Sequence, residues 1–199
     1  MRTADTLAGI HADLERHRQV TLQDWSALPG ANLERRPSAR RWSAADCLEH
    51  IGRANDMYLH HMEKAVERAE RRGRPPVDEY RPGALGRRIC AALTPGVPQQ
   101  RGAPPRIRFK SPTLRRYDPL QDPGVIPVAA TLQRYEAQLD RMVRLLQRCE
   151  GIDLHARSNT LLGPFLQLRM GDMWAYLVAH TDRHLEQGRR AIEMARDPS

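Results

Sequence analysis

The chain has 199 residues, 40% of them hydrophobic and 28% charged, and this length predicts a single domain covering residues 1–199. The formal charge of +8 is concentrated in segment 71–118, which holds 12 basic and 3 acidic residues, so a uniformly basic nucleic-acid-binding surface is not expected. No apolar run reaches the roughly 18 residues that a membrane helix needs. The three widely spaced cysteines and the lack of a secretory signal pattern favour free thiols in a reducing cytoplasm.

Two amphipathic helices are predicted before residue 73. The first spans residues 3–28, where apolar side chains recur every three or four positions, and it ends at a Pro-Gly pair. The second begins after Ser43, a candidate N-cap that Asp46 would answer in a capping box. Trp42 and Cys47 occupy the two positions of a hydrophobic staple, which favours a structural role for this cysteine. A continuous apolar stripe extends the second helix to about residue 72.

A proline- and arginine-rich connection follows the second helix. Residues 74–127 hold 11 of the 15 prolines and most of the surplus positive charge, so a helix of ordinary length is not expected there. A turn or two of helix near residues 84–93 is the exception. We therefore treat residues 73–127 as an extended basic loop within the domain. Such a loop is either a mobile, solvated insertion or an ordered cover over an active site.

Two further helices are predicted after the connection. In the third, residues 128–149, apolar positions alternate in steps of four and three, which is typical of a helix in a bundle. A short loop over residues 159–168 leads into the fourth helix, residues 171–195. No alternating pattern indicates a sheet, so the predicted fold class is all-α.

Two histidines four residues apart, His180 and His184, project from one face of the fourth helix at a spacing of about 6 Å, which allows them to share a metal ion. A pair of surface histidines is the simpler explanation. However, both lie at the edge of the apolar face, where unpartnered imidazoles cost several kcal/mol. His50 holds a comparable place on the second helix, as a third ligand or as a hydrogen-bonded core histidine. The other histidines lack this convergence, and His17 is expected to be partly exposed.

Two motifs together resemble the DinB/YfiT-like metal-binding superfamily. They are Trp-Ser-Ala-Ala-Asp-Cys-Leu-Glu-His at residues 42–50 and His-Thr-Asp-Arg-His-Leu-Glu-Gln at residues 180–187. The resemblance covers residues 3–72 and 128–196 and implies a four-helix bundle with up-down-down-up topology. It also implies a homodimer and a divalent metal, whether zinc, nickel or iron, held by His50, His180 and His184.

The resemblance implies two kinds of metal-dependent enzyme acting on a small molecule that is anionic or a thiol. In a hydrolase the metal would activate water, and in a low-molecular-weight-thiol S-transferase it would lower the pKa of the substrate thiol. Gln187, one turn after His184, is a candidate for orienting this histidine or the substrate. Four carboxylates are candidates for proton transfer: Asp46, Glu49, Asp182 and Glu186. Of these, Asp46 is expected to cap the start of the second helix, and Glu49 and Asp182 are expected to face solvent.

A non-enzymatic binding or stress-response module is the alternative function. In this case the basic segment 74–118, where arginines alternate with aromatic residues, would contact an anionic partner. Nucleic acid is an unlikely partner, because no helix-turn-helix, zinc-finger or RNA-binding motif is present. If the protein is an enzyme, the same arginines would attract an anionic substrate.

Overall fold

Six α-helices and a two-stranded sheet form the part of the chain that the computed structural model describes, which is residues 1–93, 127–161 and 165–196. The predicted all-α fold is confirmed, because the sheet contains only three residues in each strand. In chain order the elements are α1 (Thr3–Arg18), a π-helical segment (Gln19–Trp25), α2 (Gly30–Glu34), α3 (Ala44–Arg72), α4 (Ala84–Leu93), α5 (Val128–Cys149), β1 (Arg157–Asn159), β2 (Gln167–Arg169) and α6 (Met170–Arg196).

The ends of α3 follow from local hydrogen bonding. The Ser43 hydroxyl accepts a hydrogen bond from the Asp46 backbone N–H at 3.0 Å, and the Asp46 carboxylate accepts one from the Ser43 N–H at 2.9 Å. This reciprocal pair is the predicted capping box, and it satisfies two backbone donors that the helix itself cannot pair. At the other end Gly73 adopts a left-handed conformation with φ of 61°, which stops the helix.

Ion pairs between α3 and α5 show that these two helices run in the same direction. Three pairs follow each other in the same order along both helices: Glu49 with Arg134 at 2.6 Å, Glu63 with Arg141 at 2.5 Å and Glu70 with Arg148 at 2.7 Å. In a parallel pair of helices the residue numbers of the partners rise together, as they do here.

The other two bundle helices run the opposite way. On α6, Tyr176 contacts Tyr58 while His184 lies beside His50, so α6 is antiparallel to α3. Arg18 of α1 pairs with Asp140 of α5, whereas Leu7 lines a cavity with Leu146, so α1 is antiparallel to α5. The order of directions along α1, α3, α5 and α6 is therefore up, down, down, up, as the resemblance implies.

The parallel arrangement of α3 and α5 requires a long connection. With 29 residues, α3 is about 44 Å long, and the chain has to return along the bundle before α5 can start. The described start of this connection is tied to the bundle: the Tyr80 hydroxyl donates to Asp172 of α6 at 2.6 Å, and the Thr3 N–H donates to the Asp78 carbonyl at 2.8 Å. The turn or two of helix expected near residues 84–93 is α4, whereas the expectations for residues 94–126 lie outside the described residues.

The first predicted helix differs from the observed structure in its second half. The α-helix ends at Arg18, and a π-helical segment continues to Trp25. Within it the Thr21 hydroxyl donates to the His17 carbonyl at 2.8 Å, and the Ser26 N–H reaches back five residues to the Thr21 carbonyl at 3.2 Å. The wider turn shifts the register of the side chains, and Trp25 is buried in the core.

The small sheet is a second difference from the prediction. Strands β1 and β2 pair antiparallel, with Ser158 opposite Leu168, directly before α6 begins. Three residues in each strand are too few for an alternating pattern to be read from the sequence. Separately, no helix among the described residues combines the length and the apolarity that crossing a bilayer requires.

The capping box predicts the effect of a single substitution at the start of α3. Ser43→Ala removes the hydroxyl that accepts from the Asp46 N–H, and we expect it to lower the free energy of unfolding by about 1 kcal/mol. Urea unfolding measures this change. Ser43→Thr keeps a hydroxyl and should retain most of the stability. Ser26→Ala, which removes an exposed hydroxyl outside the cap, is the control. An equal decrease in the free energy of unfolding in this variant would contradict a specific role of the cap.

Candidate metal centre

Three histidine side chains meet between α3 and α6. His50 comes from α3, and His180 and His184 come from consecutive turns of α6, which packs antiparallel against it. The ring centroids of His50 and His184 are 4.5 Å apart, those of His180 and His184 4.7 Å, and those of His50 and His180 5.3 Å. One nitrogen from each ring lies within 4.8 Å of the other two. The structure therefore brings together all three histidines singled out in the sequence.

Burial keeps the imidazoles of α6 uncharged. The exposed fractions of His50, His180 and His184 are 8%, 4% and 9%. Burial lowers the pKa of His180 to about 3, with further contributions from the neighbouring His50 and from the positive charge of Arg183. The pKa of His184 is also lowered, first by burial and then by the two other histidines and Arg183. Neutral imidazoles keep the nitrogen lone pairs with which histidine binds a metal ion.

The hydrogen bonds around the rings fit a metal site. The Nδ1 of His184 donates to the Gln187 side-chain oxygen at 3.2 Å, which leaves Nε2 of the same ring as an acceptor. Nδ1 of His180 is buried and has no hydrogen-bond partner among the described residues. A buried nitrogen without a partner is costly, and a metal ion in the space between the rings would reduce the free-energy cost of grouping three polar rings there. Three neutral nitrogen donors are a common ligand set for a divalent ion.

Aromatic side chains enclose the histidines. The Trp42 ring lies 5.0 Å from that of His50 and stacks on that of His184 at 5.8 Å. On the opposite side Tyr176 stacks on His180 at 5.8 Å, and its hydroxyl accepts a hydrogen bond of 3.0 Å from the Tyr58 hydroxyl. From the sequence, Trp42 is predicted only to stabilise the start of the helix. Its place in the Trp-Ser motif, eight residues before His50, was the available signal for this second role.

Two of the four candidate carboxylates lie on α3. Asp46 serves the helix start as predicted, and its carboxylate also binds Arg36 at 2.7 Å. The prediction that Glu49 faces solvent is wrong, because this side chain is only 5% exposed. Glu49 accepts hydrogen bonds of 2.6 Å from both Arg53 and Arg134. The second of these arginines belongs to α5, so its position relative to Glu49 could not be read from the local pattern.

The other two candidate carboxylates lie on α6 and are also paired. Asp182 was expected to face solvent, but it is only partly exposed and binds His17 at 2.7 Å and Arg16 at 2.9 Å. These partners lower its pKa, although burial opposes the shift. Glu186 accepts hydrogen bonds of 2.8 Å from both Arg189 and Arg190, and its pKa is lowered to about 2. Both carboxylates therefore have lowered pKa values and are bound to basic side chains outside the histidine cluster.

The remaining histidines and Cys47 lie outside the cluster. The prediction that His17 is partly exposed is wrong: the side chain is 1% exposed and bonded to Asp182, on the face of α6 that packs against α1. His11 and His60 are exposed, and His155 binds Asp153 at 2.7 Å. Burial raises the pKa of the Cys47 thiol, which favours the structural role assigned to it rather than metal ligation.

The fold and the cluster define a class of protein: a four-helix bundle with a buried three-histidine group that could hold a metal ion. The model of the DinB superfamily matches residues 13–187 of the chain, which include all three histidines. The chain belongs to the DinB superfamily. No curated protein and no solved structure matches it.

The cluster predicts a metal stoichiometry that depends on its histidines. We expect untagged protein to bind about one divalent ion per chain, and His50→Ala or His184→Ala to abolish this binding, because two nitrogens do not hold the ion firmly. Elemental analysis and calorimetric titration with zinc and nickel measure the effect. His60→Ala removes an exposed histidine of α3 and should leave the stoichiometry unchanged. Equal metal content in all four proteins would contradict the assignment.

Burial of neutral His180 also predicts a pH dependence of stability in the metal-free protein. The pKa of His180 is about 3 in the folded state against 6.5 for an ordinary histidine, so the unfolded state takes up the proton first as the pH falls. Stability is therefore independent of this group above pH 6.5 and is lost below it, by about 2 kcal/mol between pH 7 and pH 5.

Urea unfolding of chelator-treated protein tests this dependence. His180→Gln should remove about that part of the acid destabilisation, because glutamine does not titrate. His11→Gln, at an exposed position, should keep the slope of the parent protein. An unchanged slope in His180→Gln would show that this imidazole does not resist protonation in the folded state.

Proposed function

We propose that the protein holds a divalent zinc, nickel or iron ion through His50, His180 and His184 and transfers a low-molecular-weight thiol to a small electrophile. The proposal has two parts, metal binding and thiol transfer. The three clustered imidazoles, of which His180 and His184 have a lowered pKa, support the first. The ion pairing of the carboxylates nearby supports the second.

The single observation that favours a thiol over water as the nucleophile is the state of these carboxylates. Hydrolysis needs a group that takes a proton from the attacking water, and a carboxylate does this best when its pKa is raised toward neutrality. Asp182 and Glu186 have lowered pKa values, and Asp46 and Glu49 are held by arginines. A thiol needs no such base, since a modest fall in its pKa produces thiolate at neutral pH and its proton leaves to solvent.

Within this function each side chain has a defined task. A divalent ion held by the three histidines would supply Lewis acidity, which lowers the pKa of a thiol that binds to it. Gln187 fixes the orientation of the His184 ring through the bond to Nδ1. Trp42 and Tyr176 cover the imidazoles and limit the access of water.

The proposed transfer needs no external oxidant or reductant. The thiol S–H ionises, and its proton goes to solvent. The sulfur then forms a bond to an electrophilic carbon, and the leaving group departs with the electron pair of the broken bond. A homodimer and an anionic partner for segment 74–118 stay predictions of the sequence analysis; most of this segment lies outside the described residues.

Two model reactions test the proposal on the metal-loaded full-length chain. We expect faster conjugation of N-acetylcysteine to monobromobimane than in the uncatalysed reaction, with the acceleration lost in His184→Ala and kept in His60→Ala. Hydrolysis of p-nitrophenyl acetate should not be accelerated. Metal-dependent ester hydrolysis without thiol conjugation would instead identify a hydrolase. Acceleration of neither reaction, with metal bound, would favour the non-enzymatic binding module.

A further inference from the structure

Arg183 is a positive charge next to the histidine cluster, and no carboxylate of the described residues pairs with it. It follows His180 by three residues on α6 and directly precedes His184, so it lies on the sector of the helix next to the two rings. The side chain is exposed, and no ion pair joins it to any described residue.

The two acidic residues nearest to Arg183 on α6 are bound elsewhere. Asp182 points from another face of the helix to His17 and Arg16 of α1. Glu186, three residues after Arg183, would be its natural helical partner, yet both carboxylate oxygens are taken by arginines one turn further on. Asp182 and Glu186 therefore neutralise other bases, and within the described part of the chain neither compensates the charge of Arg183.

This arrangement is unfavourable for a cation site that binds only water. Like charges repel, so a divalent ion in the cluster would be repelled by a guanidinium on the neighbouring sector of the same helix. An anion bound between the divalent ion and the guanidinium would be attracted by both positive groups and would offset their mutual repulsion. A guanidinium also presents parallel N–H donors that match the geometry of a carboxylate or phosphate group.

We propose that Arg183 anchors an oxyanion, a carboxylate or a phosphate, on the substrate that enters the histidine cluster. The thiol identity of this substrate rests on the proposed function, whereas the anion anchor does not. Arg183 lies within about one helical turn of two of the three histidines, and it is a candidate for anion capture in addition to the arginines of segment 74–118.

The experiment compares two thiols of similar size on the cobalt-loaded full-length protein. One is 3-mercaptopropionate, which carries a carboxylate, and the other is 2-mercaptoethanol, which is neutral; the sulfur-to-cobalt charge-transfer band reports the binding of each. In Arg183→Gln we expect the affinity for 3-mercaptopropionate, relative to that for 2-mercaptoethanol, to fall by roughly fivefold to tenfold. Arg183→Lys should retain part of the preference. Both variants should keep the metal and the affinity for 2-mercaptoethanol.

Arg144→Gln is the matched control, since Arg144 of α5 is also exposed and has no ion pair within the described structure. Its removal changes the net charge equally and should leave the ratio of affinities unchanged. An unchanged ratio in Arg183→Gln, or an equal fall in Arg144→Gln, would overturn the anchor.

A second measurement separates the anchor from the thiol chemistry. If neither thiol gives a band on cobalt-loaded protein, the proposed thiol transfer fails. Calorimetric titration of the same protein with inorganic phosphate then tests the anchor by itself. Phosphate binding that is lost in Arg183→Gln and kept in Arg144→Gln supports it. Absent binding, or binding equal in both variants, overturns it.

Discussion

Three imidazoles share a small space between α3 and α6, and this crowding of polar rings constrains the surrounding structure. Burial removes each ring from water, and for His180 and His184 it lowers the pKa, to which the neighbouring histidines and Arg183 add. The lone pairs of such buried rings need a hydrogen-bond donor or a cation as their partner. Gln187 satisfies one nitrogen of His184, whereas Nδ1 of His180 has no partner in the described structure. Coordination of a cation is the interaction that suits such a group of donors.

The helix directions that create the cluster also explain the long connection. His50 meets the histidines of α6 because α3 and α6 are antiparallel, and the Glu-to-Arg pairs hold α5 parallel to α3. Parallel neighbouring helices cannot be joined by a short turn. The topology alone therefore requires a long connection, which here is residues 73–127, whether or not this connection binds a ligand. The anchoring of Tyr80 on Asp172 shows that this chain begins as a packed part of the fold.

The sequence predicted the features that depend on neighbours along one helix and missed those that depend on distant partners. The bounds of α3 and α5 were accessible because the capping box and the apolar stripes are local signals. The three histidines were accessible because each lies in a short motif. Burial of His17 and Glu49 was not, since their partners Asp182 and Arg134 are 165 and 85 residues away. An amphipathic pattern places a polar residue at the edge of a helix face but does not identify its partner on another helix.

These pairings also occupy the carboxylates that lie nearest to the histidine cluster. On α6, Asp182 is bound by α1 and Glu186 by the next turn of its own helix, and on α3 Glu49 is bound by α5. The ion pairs of the bundle thus hold the carboxylates nearest to the cluster, and among the described residues none of these carboxylates is a counterion of Arg183. Under the proposed function, the guanidinium would favour an anionic ligand that brings its own nucleophile. The same carboxylates would then influence both the stability of the bundle and the choice of substrate.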